Sequence, residues 1–176
     1  MTECFLAGED IHQLNRDLRI LIATNGTLTR ILGVVTDEEI VVQIIEQQIH
    51  SRDMAAWEQL SDSRILQRRI LLNGRSSGRR FVGAESLIAI DLLPGSIAAE
   101  LMTTNSPIGE IMAASRLETF KEPADVWIAE PPDWLAAATG QTSAPKPVGR
   151  RYRILIGGHP AIIVTEYFLD FSPETA

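Results

Sequence analysis

The chain has 176 residues, enough for one domain with a sizeable core, and its 45% hydrophobic and 22% charged residues are the balance of a soluble globular protein. A formal net charge of −7, from 16 basic and 23 acidic residues, argues against the basic stripe of a nucleic-acid reader and the polybasic patch of a membrane-surface protein. One cysteine, Cys4, excludes an intrachain disulfide framework and a cysteine-based metal site, and fits a reducing, cytoplasmic setting. The start, MTECFLAGED, has neither the basic residues nor the apolar centre of a signal peptide. No apolar run reaches the roughly 18 residues of a membrane span. His12, His50 and His159 are too far apart for a ligand-spaced cluster, so no metal site is expected.

In chain order, residues 8–23 carry Ile11, Leu14, Leu18 and Leu21 or Ile22 at helical spacing, with Asp10 as a candidate cap. Asn25-Gly26 breaks this helix, and Gly26 suits a left-handed position past its end. Thr27 reads as the N-cap of a second short helix with Leu28, Ile31 and Leu32 on one side. This helix–turn–helix element is expected to pack on a sheet, because the acidic chain argues against a DNA reader. Residues 40–49 form a β-branched strand. Residues 50–63 are polar, with Met54, Trp57 and Leu60 sealing a short helix or loop. Residues 65–73 and 79–91 read as a hairpin around NGRSSG, ended by Pro94. Two short helices follow at 96–104 and 107–115, with Ser106 as cap and Pro107 in the first turn. Residues 117–128 read as a strand, and 131–148 as a long loop. Residues 150–156 and 161–170 form the last two strands around the turn Gly157-Gly158-His159-Pro160. Six strands joined mostly by hairpins, without strand–helix–strand alternation, give an α+β domain: an antiparallel sheet with helices gathered on one face.

No phosphate loop, dinucleotide fingerprint, zinc-protease motif or nucleophile elbow occurs. The informative feature is charge inside apolar strands. In the last strand, Glu166 shares a face with Ile162, Val164 and Phe168, while Ala161, Ile163, Thr165 and Tyr167 share the other. Both faces are apolar, so Glu166 needs a partner, a ligand or a raised pKa. Arg68 alternates with Leu66, Ile70 and Leu72, and Arg69 with Ile65 and Leu71. Periodicity does not choose which arginine points inward. Glu85, in phase with Phe81, Gly83 and Leu87, is a candidate cross-strand partner for an arginine. An Arg and a Glu on buried strand faces, roofed by two helical hairpins, suggest an enclosed small-molecule site, with a simple pairing of the two charges as the alternative.

Four segments occur together in order: Thr24-Asn25-Gly26-Thr27-Leu28-Thr29-Arg30, Arg68-Arg69-Ile70-Leu71-Leu72, Ser106-Pro107-Ile108-Gly109, and Gly158-His159-Pro160 leading to Thr165-Glu166-Tyr167-Phe168-Leu169. In this the chain resembles the chorismate pyruvate-lyase (4-hydroxybenzoate synthase) family, in its bacterial branch with mycobacterial and cyanobacterial members. The resemblance implies a six-stranded antiparallel sheet with helical flaps over a closed site, and conversion of chorismate to 4-hydroxybenzoate and pyruvate. It implies no metal or redox cofactor, and a product used in ubiquinone, plastoquinone or related phenolic synthesis. It selects Arg68 as the catalytic arginine and Glu166 as the catalytic glutamate. Flap contacts to substrate fall on Thr27, Leu28 and Thr29, and on Ile108 and Gly109, whose N–H groups suit a carboxylate. Glu85 stands where some members carry an arginine, and is the remaining expected substrate contact. The alternative is a binding domain without turnover, because the effector domains of certain bacterial transcription regulators, the UTRA type, use the same sheet.

Overall fold

The computed structural model describes residues 4–51, 60, 64–140 and 145–171. Met54 and Trp57, expected to seal a helix or loop, lie outside the described residues. The strands are β1 (Cys4–Phe5), β2 (Ile40–His50), β3 (Ile65–Gly74), β4 (Arg80–Ala89), β5 (Thr119–Lys121), β6 (Asp125–Ile128), β7 (Val148–Ile156) and β8 (His159–Phe168). The helices are α1 (Gly8–Ile11), α2 (Arg16–Ala23), α3 (Leu28–Thr36), α4 (Gly95–Thr103), α5 (Ile108–Ser115) and α6 (Asp133–Thr139). The strands form one antiparallel sheet in the order β1-β6-β7-β8-β4-β3-β2, with β5 also on β7. The α+β class holds.

Among the described residues eight strands stand where six were expected. Cys4 lies in β1, paired with Ile128 of β6. The single strand expected over 117–128 is two: β5 pairs with Ile154–Ile156 and β6 with Val148–Arg151, both along β7. Pro123 lies between them and has no N–H to give a ladder.

The helix expected over 8–23 is also two. α1 ends at Ile11, and α2 restarts after Asn15, whose side chain accepts the Asp17 N–H at 2.8 Å. Gly26 has no positive φ, because the chain leaves α2 through an extended Thr24. Ser106 does not cap α5, since Pro107 holds the N-cap position. The expected 131–148 loop contains α6, which starts after Pro132 and stops at Gly140, left-handed at φ 67°. Between β7 and β8 the turn is only Gly157-Gly158, at φ 57° and 81°, and His159 and Pro160 belong to β8. Two positive φ values are what a two-residue hairpin of this twist needs.

β8 lies between β7 and β4, and its inward positions on both faces are buried, as alternation requires. Antiparallel partners share a face, so the register sorts the side chains. One face carries Leu66, Arg68, Ile70 and Leu72 of β3, Ser86 of β4, Val164 and Glu166 of β8, and Arg150 and Tyr152 of β7. Two hydrophobic cores cover it. At one end Leu18, Leu21 and Leu32 of α2 and α3 pack on Leu72, Val82 and Phe168. At the other, Ile97, Leu101 and Ile111 of α4 and α5 pack on Leu66, Ile88 and Ile162. Each fully buried leucine contributes about 1.5–3 kcal/mol. α6 departs from the expected one-sided arrangement and packs on the opposite face. Its buried Leu135 lies so close to Gly83 that a Cβ there would be 2.4 Å from Leu135 Cδ1. Among the described residues no helix is long and apolar enough to cross a membrane.

Candidate active site

Between the two cores the helices leave a cavity of about 440 Å³. Its floor is the sheet, with Ile70, Ala84, Ser86, Val164 and Glu166 among the lining residues. Its roof is the α2–α3 turn on one side and the start of α5 on the other. Two adjacent cross-strand rows run under it. Arg68, Ser86, Val164 and Tyr152 form one, and Ile70, Ala84, Glu166 and Arg150 the next. Nearly all the polar groups of this face fall in these two rows.

The register decides between the two arginines. Arg68 lies on the helix-covered face, opposite Ser86 of the cavity floor, and is 3% exposed. Its Nη1 donates to the Ser106 carbonyl at 2.9 Å and its Nη2 to the Thr104 carbonyl at 3.2 Å, just before α5. Nε has no partner among the described residues. Burial pulls the guanidinium below its ordinary pKa. Arg68 is thus a buried cation held by neutral groups, which an incoming carboxylate would satisfy. Arg69 points to the other face, where it is bonded to Glu85 and Glu46, each at 2.6 Å. Glu85 also accepts from Gln67 at 3.0 Å. Glu85 is thus the cross-strand partner of an arginine, as its strand position suggested, and the expectation that it contacts substrate is corrected. It lies on the opposite face, away from the cavity, because its register partner is Arg69 and not Arg68.

Glu166 is 4% exposed and faces the cavity. It has the partner that its burial demands: Arg150 Nε donates to Oε2 and the Tyr152 hydroxyl donates to Oε1 at 3.0 Å. Arg150 is itself 1% exposed, and its Nη1 donates to the Leu21, Ile22 and Thr24 carbonyls at 2.7, 2.8 and 3.3 Å. It therefore ties the C-terminal end of α2, where carbonyls lack helical partners, to the cavity floor. Burial, and next the Glu166 charge, push the Tyr152 phenol well above its ordinary range, so it is a neutral donor. Neither Arg150 nor Tyr152 was among the expected site residues. The signal was present, since alternation in RRYRILI sets Arg150 in phase with Tyr152 and Ile154.

Thr27, Leu28, Thr29, Ile108 and Gly109, all expected from the resemblance, come together in the roof. Thr27 is the N-cap of α3 by position, but its hydroxyl makes no capping bond. Gly109 packs against it, and a Cβ at Gly109 would lie 3.3 Å from Thr27 Cγ2. Ile108 and Gly109 begin α5, where N–H groups have no intrahelical acceptor and the helix dipole favours an anion. The flaps are joined outside the cavity by Arg30, which donates to Glu110 at 2.9 and 2.6 Å. Thr29 Oγ1 reaches the same carboxylate at 3.4 Å.

Lys121 was not foreseen. It lies opposite Ile154 on the cavity face of the edge strand β5, and its Nζ is 3.9 Å from the Tyr152 ring centroid. Burial first, and the Arg150 charge second, pull it down to about 8, against an opposite pull from Glu166. Short strands beside a proline carry little periodicity, which is why the sequence did not single it out.

Solved structures with this fold include a GntR-family transcriptional regulator from Bacillus cereus (TM-score 0.60, 18% identity, 79% of this chain and 99% of that one). Another is the effector domain of PhnF from Mycobacterium smegmatis (TM-score 0.59, 13% identity, 82% and 89%). At such identities the likeness is one of fold alone. Sequence relatives are closer. A chorismate pyruvate-lyase from Mycobacterium tuberculosis is 55% identical over 174 residues, covering 96% of this chain and 87% of the relative. One from Mycobacterium leprae is 59% identical over 172 residues, covering 96% and 81%. A probable chorismate pyruvate-lyase from Methylococcus capsulatus is 33% identical over 148 residues. The family described as "Chorismate pyruvate-lyase Rv2949c-like" matches residues 22–175, and the chain belongs to that family.

Proposed function

We propose that this chain is a chorismate pyruvate-lyase, converting chorismate to 4-hydroxybenzoate and pyruvate in the cytoplasm. The observation that carries the reading is a mostly apolar cavity with a buried cation, Arg68, beside it that pairs with no carboxylate among the described residues, and the Glu166–Arg150–Tyr152 set in its floor. The reaction removes the ring hydrogen at C4 and breaks the ether bond at C3. Pyruvate leaves as its enol form, and the ring becomes aromatic. Arg68 and the Ile108 and Gly109 N–H groups suit the ring carboxylate. Glu166 serves the opposite end of the ring, beside the 4-hydroxyl that the substrate already carries and the ether that breaks. Because Arg150 and Tyr152 already hold it, it acts in a fixed orientation, as a proton shuttle or as a positioning acceptor. The apolar walls lower the local polarity and so strengthen both charge contacts. The product then supplies quinone or related phenolic biosynthesis.

The test is to incubate the purified protein with chorismate and chelator and to quantify both products by chromatography. Equimolar 4-hydroxybenzoate and pyruvate are expected, with loss of turnover in Arg68→Ala. The fold shared with regulator domains favours a second reading, a binder without turnover. Intact chorismate together with tight 4-hydroxybenzoate binding would establish that one instead.

A further inference from the structure

Chorismate carries two carboxylates, one on the ring and one on the enolpyruvyl group. The cations near the cavity differ sharply in what already neutralises them. Arg150 is paired with Glu166, and Arg69 faces away toward Glu85 and Glu46. Arg68 and Lys121 have no carboxylate within ion-pairing distance among the described residues. They come from opposite sides of the cavity. β3 and β5 are separated by β4, β8 and β7, so their backbones lie about 19 Å apart at the usual strand spacing. The Lys121 ammonium leans inward over the Tyr152 ring, one strand closer to the centre. A desolvated ammonium over a ring face gains some attraction, but its charge is still unmatched by an anion.

We infer that Lys121 anchors the enolpyruvyl carboxylate of chorismate, at the side of the cavity opposite Arg68. This rests on the lyase reading above. An anion there would also meet the neutral Tyr152 ring, and the nearby Glu166 carboxylate, whose charge reaches Lys121, is already neutralised by Arg150. The departing fragment keeps this carboxylate, while the aromatic product keeps only the ring carboxylate. Lys121 therefore discriminates substrate from aromatic product, and contributes to binding chorismate without strengthening the hold on 4-hydroxybenzoate.

The experiment compares wild type, Lys121→Met and Lys121→Arg by chorismate turnover and by equilibrium binding of chorismate and 4-hydroxybenzoate. Lys121→Met should raise KM for chorismate roughly 10- to 100-fold, the worth of a charge-assisted hydrogen bond, and leave 4-hydroxybenzoate affinity within about twofold. Lys121→Arg should recover most of the loss. In wild type, kcat/KM should fall above pH about 8 as Lys121 loses its proton, and this fall should vanish in Lys121→Arg. The charged and titratable groups facing it are Arg150, Tyr152 and Glu166, with the exposed Arg116 on the same cavity. A Lys121→Met protein with unchanged chorismate affinity overturns the assignment. So does an equal loss for both ligands, which marks a structural role, or an effect found in Arg116→Gln and not in Lys121→Met. If wild type binds chorismate through Lys121 but releases no pyruvate, the lyase reading fails and the anchor stands.

Discussion

Replacing Arg150 with Met should unfold this protein far more easily than its single position in the chain suggests. The side chain is 1% exposed and is bonded to Glu166, to the Leu21 and Ile22 carbonyls of α2 and to the Thr24 carbonyl just past its end. Removing one member of a buried ion pair costs about 3–5 kcal/mol, because the other charge is left in an apolar site. The three carbonyls add about 1 kcal/mol each if none finds water, and less where the end of α2 can loosen toward solvent. A total of about 4–8 kcal/mol follows. For a chain of this length each kcal/mol moves Tm by about 2–4 °C, so a fall of about 10–30 °C is expected. Urea and thermal denaturation followed by circular dichroism measure it. The companion is the double variant Arg150→Met with Glu166→Leu, which leaves no lone charge and should regain a large part of the loss. A single variant that loses under about 1 kcal/mol refutes the argument. A double variant as unstable as the single one shows that the helix tie, and not the charge pair, carries the stability.

Glu166→Gln keeps the shape and most hydrogen bonds but cannot take a proton. Turnover should drop by about 10²- to 10⁴-fold if Glu166 shuttles the C4 proton, and a near-normal rate leaves positioning as its role. Gly83→Val drives a branched side chain into Leu135, so α6 must shift. A cost of about 1–3 kcal/mol is expected in urea denaturation, and Gly83→Val with Leu135→Ala should regain part of it. Arg30→Gln breaks the bond between the flaps. The pair is exposed on the arginine side, so stability should change little, while product off-rates from stopped-flow fluorescence should rise. Hydrogen bonding from Arg30 holds the Glu110 carboxyl below its ordinary value of 4.5. A lowered carboxylate stabilises above its unfolded pKa and loses that contribution as pH falls through the folded one. Off-rates should therefore rise below about pH 4.5 in wild type and stay flat in Arg30→Gln.

What the sequence revealed follows from which forces are local. Alternation in β8 sufficed to mark Glu166 as a charge between apolar neighbours, and the burial on both faces bears this out. Choosing Arg68 over Arg69 needed either a relative or the register with β4, because both arginines alternate with aliphatic residues. The assignment of Glu85 failed for the same reason: one step in register changes the face. α6 was overlooked although Pro132, Asp133 and Gly140 are ordinary start and stop residues, because an alanine- and proline-rich stretch reads as loop. Arg150 was legible in principle. Its meaning was not, since the carbonyls it holds come from α2, well over a hundred residues away.

The strand order also sets a timetable for folding. The two middle strands of the sheet, β4 and β8, pair residues 82–88 with 162–168. The β2–β3–β4 meander can zip as soon as it is made, and β7 can zip with β8 through its two-glycine turn. The two halves meet only through β8, so until that strand exists β4 and β7 both present unpaired hydrogen-bonding edges. Closing so distant a pair is slow compared with forming either hairpin. A ribosome-stalled chain ending before β8 should accordingly be protease-sensitive and prone to association, and gain both protection and the cavity floor in one late step.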